Sequence, residues 1–463
     1  MQTAEFDLDL IRRYDGRGPR YTSYPTAVQF HPGFGEEDYR RLALASNGDD
    51  PEARPLSVYV HVPFCHSLCY YCGCHKIITR HQHSADAYIE HLVGEMRLQA
   101  RLFDPRRRVD QLHFGGGTPT FLDNRQFRAV MEGLFRNFGL HRGEGREYSI
   151  EIDPRSVDGD SIPMLAEMGF NRLSLGIQDF DPVVQQAVNR AQDEAWTLSL
   201  IGQAREADFR SVSVDLIYGL PKQTADSFTH TLESVVRARP DRIAAYSYAH
   251  LPEMFRSQRL IAEADLPSAA EKLALLTRTV EYLTEHGYEY IGMDHFALPE
   301  DALVRARESG TLHRNFQGYS THAELDLVAL GVSAISKVGP CYAQNIKKRH
   351  DYYEAVDTGH LPILRGVELT PDDLLRRDVI HALMCNGIAE FAVFEGRYDI
   401  RFATYFRHEL AALAPLAQDG LVTLEAGRLR VTPKGRFLLR PIAMAFDAYL
   451  STRQTEQRYS KVI

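Results

Sequence analysis

Four cysteines stand within ten residues of one another in a chain of 463 residues, and their spacing is the clearest sign of chemistry in the sequence. These four are Cys65, Cys69, Cys72 and Cys74, and the other two cysteines, Cys341 and Cys385, lie far along the chain. Thiolates at this density bind soft metals, chiefly zinc or iron–sulfur clusters. Six cysteines are too few for a disulfide scaffold in a chain of this length. The cluster of four predicts a metal site, whereas Cys341 and Cys385 are expected to be ordinary buried thiols.

Zinc is one of the two metals to weigh, because Cys69 and Cys72 form a Cys-x-x-Cys pair. Structural zinc usually uses two ligand pairs that are a dozen or more residues apart, and the second pair is missing here. Five histidines lie near the cysteines, namely His61, His66, His75, His81 and His83. His81 and His83 have the wrong spacing for a ligand pair, while His61 is equally well interpreted as a functional or a core residue.

The cysteines follow the first of six predicted β-strands. From residue 56 to about residue 298, short β-branched runs alternate with longer amphipathic stretches, a pattern typical of βα units around a parallel sheet. Helical patterns such as Ala85–Leu102 and Ala195–Ala207 follow the strands. The predicted strands are Leu56–Phe64, Val109–Phe114, Glu147–Ile152, Arg172–Ile177, Ser211–Ile217 and Ile243–Tyr248. The fold class we predict is α/β, a partial (β/α)6 TIM-like barrel.

Each predicted strand ends in polar or glycine-rich residues. Cys65 follows the first strand and Gly115–Gly117 follows the second, and the later strands are followed by Asp153–Pro154, Gln178–Asp179, Tyr218–Pro221 and Ala249–His250. Ligand chemistry in parallel α/β folds gathers at the carboxyl ends of the strands. Six such ends in register therefore favour one shared site over six independent turns.

Two further segments flank the predicted barrel. Residues 1–55 contain the turn-rich run Gly18–Pro25 and are expected to pack on the barrel as an N-terminal extension. After a boundary near residue 365, the pattern predicts helices at Asp372–Leu383 and Ala403–Leu416 and a hairpin of Leu421–Leu424 and Arg428–Val431. The predicted domains are therefore 1–55, 56–365 and 366–463, the last a small winged-helix-like, mostly helical domain with a packing or lid role.

Charge and hydropathy exclude several classes of protein. Fifty-three Lys and Arg against 62 Asp and Glu give a net charge of −9, which disfavours a nucleic-acid or anionic-membrane partner. No apolar stretch is long enough to span a bilayer, and Met1–Gly18 lacks the pattern of a secretory signal. We expect a cytoplasmic protein, with a monomer as the plainer state.

The x3 and x2 spacing of Cys65, Cys69 and Cys72, with an aromatic residue before the third, resembles the signature of radical S-adenosylmethionine (SAM) enzymes. This resemblance implies that the three cysteines hold three irons of a [4Fe–4S] cluster and that SAM chelates the fourth. An open coordination position is what distinguishes a catalytic metal site from a structural one. Glycines at the end of the second strand would then let the backbone approach the cofactor.

Over nearly its whole length, the chain resembles one family of these enzymes, the oxygen-independent coproporphyrinogen III oxidases. It is carried by the segments Gly18–Thr26, Tyr59–Cys65, Cys72–Cys74, Gly176–Phe180, Asp215–Pro221 and His313–Tyr319. It implies oxidative decarboxylation of two propionates of coproporphyrinogen III to vinyl groups, started by a 5′-deoxyadenosyl radical, in haem biosynthesis. An electron donor and an electron acceptor must take part, and the sequence identifies neither.

The same resemblance implies two bound SAM molecules and assigns residues to them. Contacts to the cluster-bound molecule fall to Tyr59, Gly115, Glu151 and Ile335, and contacts to the second fall to Tyr71, Gly116, Gly117, Gln178, Arg190, Asp215 and Ala249. Glu151 and Asp215 suit ribose hydroxyls, although each could instead cap a helix. The guanidinium of Arg190 suits a cofactor carboxylate, although it could be a solvated cation at a helix start. Near the substrate the resemblance places Phe316 and Gln317, and Arg20 and Tyr21 could meet its carboxylates.

Two other functions compete with the enzyme. One is a haem chaperone of the same superfamily, which would bind and transfer haem. The segment Cys72–Cys74 and the long amino-terminal motif favour the decarboxylase over it. The other is a zinc-stapled winged-helix regulator. Cys74 has no predicted cluster role and serves as a marker of the narrower family.

Overall fold

The computed structural model describes residues 5–322 and 325–450. Within these residues the chain forms two compact units. The large unit contains residues 30–272 and 325–368, and the small unit contains residues 5–29, 273–322 and 369–450. This division differs from the contiguous one predicted from the sequence, because the small unit takes segments from all three predicted domains. The contiguous division stays a prediction.

The large unit is built on a mixed sheet whose first six strands are parallel neighbours in chain order. Its strands are β1 Leu56–Val62, β2 Arg108–Gly116, β3 Glu147–Ile152, β4 Arg172–Gln178, β5 Ser211–Tyr218, β6 Arg242–Ser247, β7 Asp326–Leu330, β8 Ile335–Val338, β9 Cys341–Asn345 and β10 Ile363–Glu368. Strand β7 pairs in parallel with the free side of β1, and β8, β9 and β10 continue the sheet antiparallel. Sequential parallel winding is the order of a barrel, so the predicted (β/α)6 fold is confirmed.

Side-chain alternation explains how the strands build both a core and a site. In β4 the buried residues Leu173, Leu175 and Ile177 alternate with half-buried Ser174, Gly176 and Gln178. Because successive strand side chains point to opposite faces, the apolar set packs under helices while the polar set faces the other side. The predicted β1 is too long by two residues, since it ends at Val62 before Pro63, which has no N–H for the ladder.

Helices connect the strands of the large unit. They are Glu36–Ala45, Asp86–Ala100, Asn124–Asn137, Ser161–Glu167, Pro182–Ala187, Glu194–Glu206, Ala225–Ala238 and Arg349–Asp357. Several begin at a side-chain cap, as where Asp123 accepts from the N–H of Gln126 and Asp193 from that of Trp196. Shorter strands, Phe64–Cys65 paired with Ile77–Ile78 and Gly139–Leu140 beside β2, complete the unit.

The small unit is mostly helical. Its helices are Leu8–Tyr14, Ala269–Glu285 from Leu273 onwards, Ala302–Glu308, Pro371–Asn386, Phe391–Tyr398, Phe402–Tyr405, Arg407–Ala412, Ala414–Gln418 and Leu439–Met444. Its strands form two hairpins, Glu289–Gly292 with His295–Ala297 and His313–Asn315 with Gly318–Ser320, and a three-stranded sheet of Ile388–Glu390, Val422–Glu425 and Arg428–Val431. The sheet and Pro371–Asn386 match the predicted winged pattern.

The predicted single helix Ala403–Leu416 is wrong, because the structure divides this stretch into three short helices. Phe406 and Leu413 separate them, and Pro415, which cannot donate to the preceding turn, opens the third. The sequence pattern also missed Leu8–Tyr14 and Glu36–Ala45 in the amino-terminal segment. No helix within residues 5–322 and 325–450 has the length and hydropathy needed to cross a membrane.

Candidate functional site

A cavity of about 370 Å³ lies at the carboxyl ends of the barrel strands and joins most of the predicted site. Its lining includes ten of the residues singled out from the sequence: Cys65, Cys69, Cys72, Tyr71, Gly116, Gly117, Glu151, Gln178, Arg190 and Asp215. Four others, Tyr59, Gly115, Ala249 and Ile335, lie outside this lining. Residues from the ends of separate strands therefore line one cavity.

The loop that carries the cysteines is held at both ends. Cys65 lies in a two-residue strand paired with Ile77–Ile78, and the N–H of Thr79 donates to its carbonyl at 3.0 Å. The N–H of Cys72 donates to the carbonyl of Cys69 at 3.2 Å, which closes a tight turn between these two ligand candidates. These backbone contacts hold the loop so that its three thiols line the cavity.

Charged and polar donors surround two of the thiols. Cys69 Sγ accepts from Arg155 Nη2 at 3.3 Å and from Arg190 Nη1 at 3.4 Å. Cys65 Sγ accepts from the hydroxyl of Thr118 at 3.4 Å, while burial raises the pKa of this thiol to about 11. Cys74 is exposed and reaches the same cavity. Cys341 and Cys385 are buried free thiols, as expected.

Arg190 is buried, so its interpretation as a solvated cation is wrong. Its side chain is 7% exposed, and its guanidinium binds Asp153 Oδ2 at 3.2 Å and the carbonyl of Gly176 at 2.5 Å. Burial alone would raise the pKa of Asp153, but the positive charges of Arg190 and Arg155 hold that pKa well below its ordinary range. The chain thereby keeps an ion network inside the cavity wall.

Glu151 is held on both carboxylate oxygens. The Nε2–H of His113 donates to Oε1 at 3.2 Å, and the N–H of Gly116 donates to Oε2 at 3.2 Å. The His113 ring stacks on Tyr59, with centroids 5.8 Å apart and planes at 15°. Glu151 therefore does not act as a helix cap, and Tyr59 reaches it through the imidazole between them.

The three glycines at the end of β2 are required by close packing within the chain. A Cβ on Gly115 would stand 2.8 Å from Glu151 Oε1, and one on Gly117 would stand 2.8 Å from the Pro63 carbonyl. Gly116 has φ +118°, and its Cβ would stand 2.7 Å from the His61 ring. These contacts within the protein leave no room for a side chain at the three positions. Packing inside the chain is therefore a further reason for glycine there, which the sequence pattern did not supply.

Asp215 projects from β5 at the floor of the cavity. Its Oδ2 accepts from the hydroxyl of Ser174 at 2.9 Å, and burial raises its pKa to about 7. Gln178, at the end of β4, has φ +67° and lines the same wall. Asp215, like Glu151, faces the site and caps no helix.

Tyr71 and Ala249 are linked by Gln258, which the sequence pattern did not single out. The Nε2 of Gln258 donates to the carbonyl of Tyr71 at 2.9 Å and to that of Ala249 at 3.2 Å. Tyr71 packs against the apolar group of Val184, Val188, Leu220, Tyr248 and Ile261. The loop after β6 is thus tied to the cysteine loop.

The remaining predictions lie away from the cavity lining. Ile335 begins β8, opposite Gln344. Phe316 and Gln317 form the turn of the hairpin His313–Ser320 in the small unit, and the N–H of Gln317 donates to Asn315 Oδ1 at 2.8 Å. Arg20 pairs with Asp294 at 3.1 Å, and the hydroxyl of Tyr21 donates to Asp447 at 2.9 Å, both also within the small unit.

His61 is a satisfied buried histidine. Its Nε2–H donates to the carbonyl of His75 at 3.2 Å, so its Nδ1 accepts from the hydroxyl of Tyr59 at 3.0 Å. Burial lowers its pKa to about 4, which keeps the ring neutral at pH 7. With both nitrogens occupied, His61 has no free lone pair for zinc.

Sequence reasoning assigned no role to several residues that line the cavity, above all Thr118, Arg155, Ser174 and Asp153, although it noted Asp153 at the end of a strand. Asp153 had one usable signal, since it follows β3 directly. Arg155 had a different signal, since Asp-Pro-Arg is a local turn in which the carboxylate can accept hydrogen bonds from the arginine. Ser174 and Thr118 carried no signal beyond polarity at a strand end.

Comparison with known proteins agrees with the barrel and its cysteine loop. Residues 59–235 match the Radical SAM superfamily and residues 369–438 match the HemN C-terminal domain. This fold, with three cysteines in the loop that follows its first strand, defines a radical SAM enzyme.

Relatives match the chain over its full length. Those named oxygen-independent coproporphyrinogen III oxidase from Escherichia coli (strain K12) and Pseudomonas aeruginosa are 50% and 49% identical, each over 100% of both chains. The solved structure of coproporphyrinogen III oxidase from Escherichia coli covers 97% of this chain and 100% of its own, with a TM-score of 0.92 and 50% identity. The chain belongs to the oxygen-independent coproporphyrinogen III oxidase family.

The cavity fits the cofactors of this family, a [4Fe–4S] cluster and SAM. The lining contains the thiols of Cys65, Cys69, Cys72 and Cys74 and the carboxylates of Glu151, Asp153 and Asp215. Within residues 5–322 and 325–450 the buried Nε of Arg190 has no hydrogen-bond partner, so a donor is left over in the wall. Soft donors for iron beside polar groups for a nucleoside and an amino acid are what these cofactors need.

Proposed function

We propose that this chain converts two propionate side chains of coproporphyrinogen III to vinyl groups without oxygen, giving protoporphyrinogen IX in haem biosynthesis. The observation that carries the proposal is a single cavity lined by Cys65, Cys69 and Cys72 in a chain that matches oxidases of this name from end to end. When bound, the cluster and SAM supply an electron and a 5′-deoxyadenosyl radical that removes a hydrogen from the propionate β-carbon.

The three cysteines bind three irons and leave the fourth to the cofactor. Cys65 and Cys72 are half-buried and Cys69 is buried, so the loop shields the thiolates while it keeps them on the cavity side. Excluding water around a cluster is one of the means by which a protein sets its potential.

The cluster-bound SAM is held by Tyr59, Gly115, Glu151 and Ile335. Support comes from Glu151, whose carboxylate is already oriented by His113 and Gly116 and so loses little freedom when a ligand binds. Tyr59 supports this wall by stacking on His113.

A second SAM is held by Tyr71, Gly116, Gly117, Gln178, Arg190, Asp215 and Ala249. Support comes from the unused Nε of Arg190 and from Asp215, which burial keeps partly protonated near pH 7 and which can therefore donate or accept toward a ribose hydroxyl. Gln258 bridges the backbone carbonyls of Tyr71 and Ala249.

The substrate contacts are Phe316, Gln317, Arg20 and Tyr21. Gln317 carries a buried Nε2 with no partner in the described part of the chain, which suits a carboxylate or a pyrrole-bound group. Arg20 already pairs with Asp294 at 3.1 Å, so a substrate carboxylate would share this guanidinium.

The proposal includes an external one-electron donor and an electron acceptor, because the net reaction is an oxidation started by a reduction. We further infer a cytoplasmic monomer. The six free cysteines of the described chain suit a reducing compartment, which an iron–sulfur cluster also needs.

An anaerobic assay with dithionite, SAM and coproporphyrinogen III tests the function, with protoporphyrinogen and 5′-deoxyadenosine measured together. We expect both products. Cys69→Ser should abolish both and lose iron, while the matched variant Cys385→Ser, a buried thiol in the small unit, should keep them. Formation of 5′-deoxyadenosine without decarboxylation would reject the substrate and keep the enzyme class, whereas zinc in place of iron would reject both.

A further inference from the structure

Arg155 reaches the same sulfur as Arg190 but has no part in the cofactor contacts proposed above. Its Nη2 donates to Cys69 Sγ at 3.3 Å, beside Arg190 Nη1 at 3.4 Å. Asp153 joins the two guanidiniums, with Oδ2 at 2.7 Å from Arg155 Nη2 and 3.2 Å from Arg190 Nη1. Two positive charges and one negative charge therefore lie beside the sulfur of Cys69, and the net charge of these three side chains is positive.

The position of Arg155 is set locally and not by the thiol. Within Asp153-Pro154-Arg155 the carboxylate Oδ1 accepts from the backbone N–H of Arg155 at 3.1 Å and from its Nε at 3.0 Å. The same tripeptide occurs at Asp104-Pro105-Arg106, where the corresponding distances are 2.9 and 3.0 Å. The turn thus orients an arginine by itself, and only at 153–155 does that arginine face a cysteine.

The two copies of this turn differ in burial. The side chain of Arg106 is 59% exposed, whereas that of Arg155 is 22% exposed and lies in the cavity wall. Water screens a charge at the first position, and the protein screens it much less at the second. An N–H···S bond from a cation in such a place stabilises the more negative, reduced form of a cluster, because hydrogen bonds to sulfur and local charge both set the reduction potential.

We propose that Arg155 is a positioning residue that acts through Cys69 to raise the reduction potential of the cluster. The inference rests on the proposed function, since it needs the cluster on Cys69. Arg190 is shared between the thiol and the cofactor carboxylate, whereas Arg155 is committed to the thiol and to Asp153. Arg155 therefore keeps a hydrogen bond to Cys69 when SAM binds Arg190. An electron donor of limited reducing strength can then still reduce the cluster.

An anaerobic redox titration of the reconstituted protein, with dithionite and mediators and with the reduced cluster followed by electron paramagnetic resonance, tests the inference. In Arg155→Met the ratio of reduced to oxidised cluster at a given potential should fall about tenfold, equal to a midpoint about 59 mV lower for one electron. Arg155→Lys keeps the charge without the fork and should fall between this variant and the parent. Arg106→Met, the matched control, should not change the midpoint.

Each outcome decides the question. The resonance signal is scaled to the cluster that remains, so partial loss of iron in Arg155→Met does not obscure the midpoint. An unchanged midpoint in Arg155→Met, or an equal shift in Arg106→Met, overturns the inference and leaves the proposed function untouched. A parent protein with no reducible cluster overturns the proposed function itself.

Discussion

Arg190 is a guanidinium inside the protein wall, and its partners explain how the chain accommodates it. It binds a carboxylate, a carbonyl and a thiol from three different segments. A buried charge is tolerated when it is paired and hydrogen-bonded. Removal of one partner leaves the other charge buried and unpaired, which strongly lowers the stability of the protein. In this network the Nε of Arg190 has no hydrogen-bond partner within the described chain, so one N–H donor remains for a ligand.

Changing Arg190 to Ala should weaken binding of the proposed second SAM about 30-fold, since a hydrogen bond to a charged group is worth roughly 2 kcal/mol. Equilibrium binding of radiolabelled SAM to the reconstituted protein measures this as a fall from two sites to one. Arg190→Lys, which keeps the charge, should recover part of the affinity. Two unchanged sites in the alanine variant would contradict the assignment of Arg190.

Glu95 shows how one side chain joins several elements. It lies in helix Asp86–Ala100 and is fully buried, and its carboxylate accepts from the N–H of Gly331 after β7 at 2.7 Å, from Asn345 in β9 at 2.7 Å and from the hydroxyl of Tyr352 at 2.6 Å. Tyr88, from the same helix, donates to the carbonyl of His61 at 2.7 Å. The helix thus supports both the turn before β8 and the strand that leads to the cysteines.

Burial raises the pKa of Glu95 to about 7, even though hydrogen bonds to its carboxylate, among them those from Tyr352, Gly331 and Asn345, oppose the shift. The unfolded chain loses this proton near the ordinary pKa of about 4.3, so the native state binds more protons between these values. The contribution of Glu95 to the free energy of unfolding should therefore fall as pH rises, by about 3 kcal/mol from pH 5 to pH 8, since each pKa unit is worth about 1.4 kcal/mol.

Urea unfolding of the cluster-free protein at several pH values checks this prediction. In Glu95→Gln this part of the pH dependence should disappear, because the amide that replaces the carboxyl does not titrate between pH 5 and pH 8. A wild-type and a variant that share the same slope between pH 5 and pH 8 would show that Glu95 is not the responsible group.

The small unit joins parts of the chain that are hundreds of residues apart. Ile11, Tyr21 and Tyr24 from the amino-terminal segment share one core with Leu375 and Val379 of helix Pro371–Asn386. Tyr24 is 1% exposed, and its hydroxyl accepts from the N–H of Ala448 at 3.1 Å. The amino-terminal segment is therefore part of a folded core that also contains the residues matching the HemN C-terminal domain.

Tyr24→Ala should cost the small unit about 4 kcal/mol, the range for removing a large aromatic side chain from a core. Amide hydrogen exchange in helix Pro371–Asn386 should then become at least tenfold faster. Tyr24→Phe keeps the ring and loses one hydrogen bond, so its effect should be about 1 kcal/mol. Exchange that stays unchanged in the alanine variant would mean that the amino-terminal segment does not fold with this helix.

The features that were predicted correctly are local ones. Alternation of apolar and polar residues identified the six barrel strands, and the x3 and x2 cysteine spacing identified a loop whose thiols line the cavity. Both signals are local, because neighbours within a few residues share one turn or one strand face. The prediction of a single helix at 403–416 was wrong because it too used a local signal. The apolar period of this stretch continues through residues at which the chain changes direction.

The amino-acid order determined the parallel barrel, the carboxyl-end location of the site and the two Asp-Pro-Arg turns. Only the tertiary structure decided which of those turns meets a thiol, which carboxylates share the cavity and which segments make up the small unit. Arg155 and Arg190 are 86 and 121 residues from Cys69, and Tyr24 is 424 residues from Ala448. Contacts of that length depend on the register and packing of every element between them, which no local pattern contains.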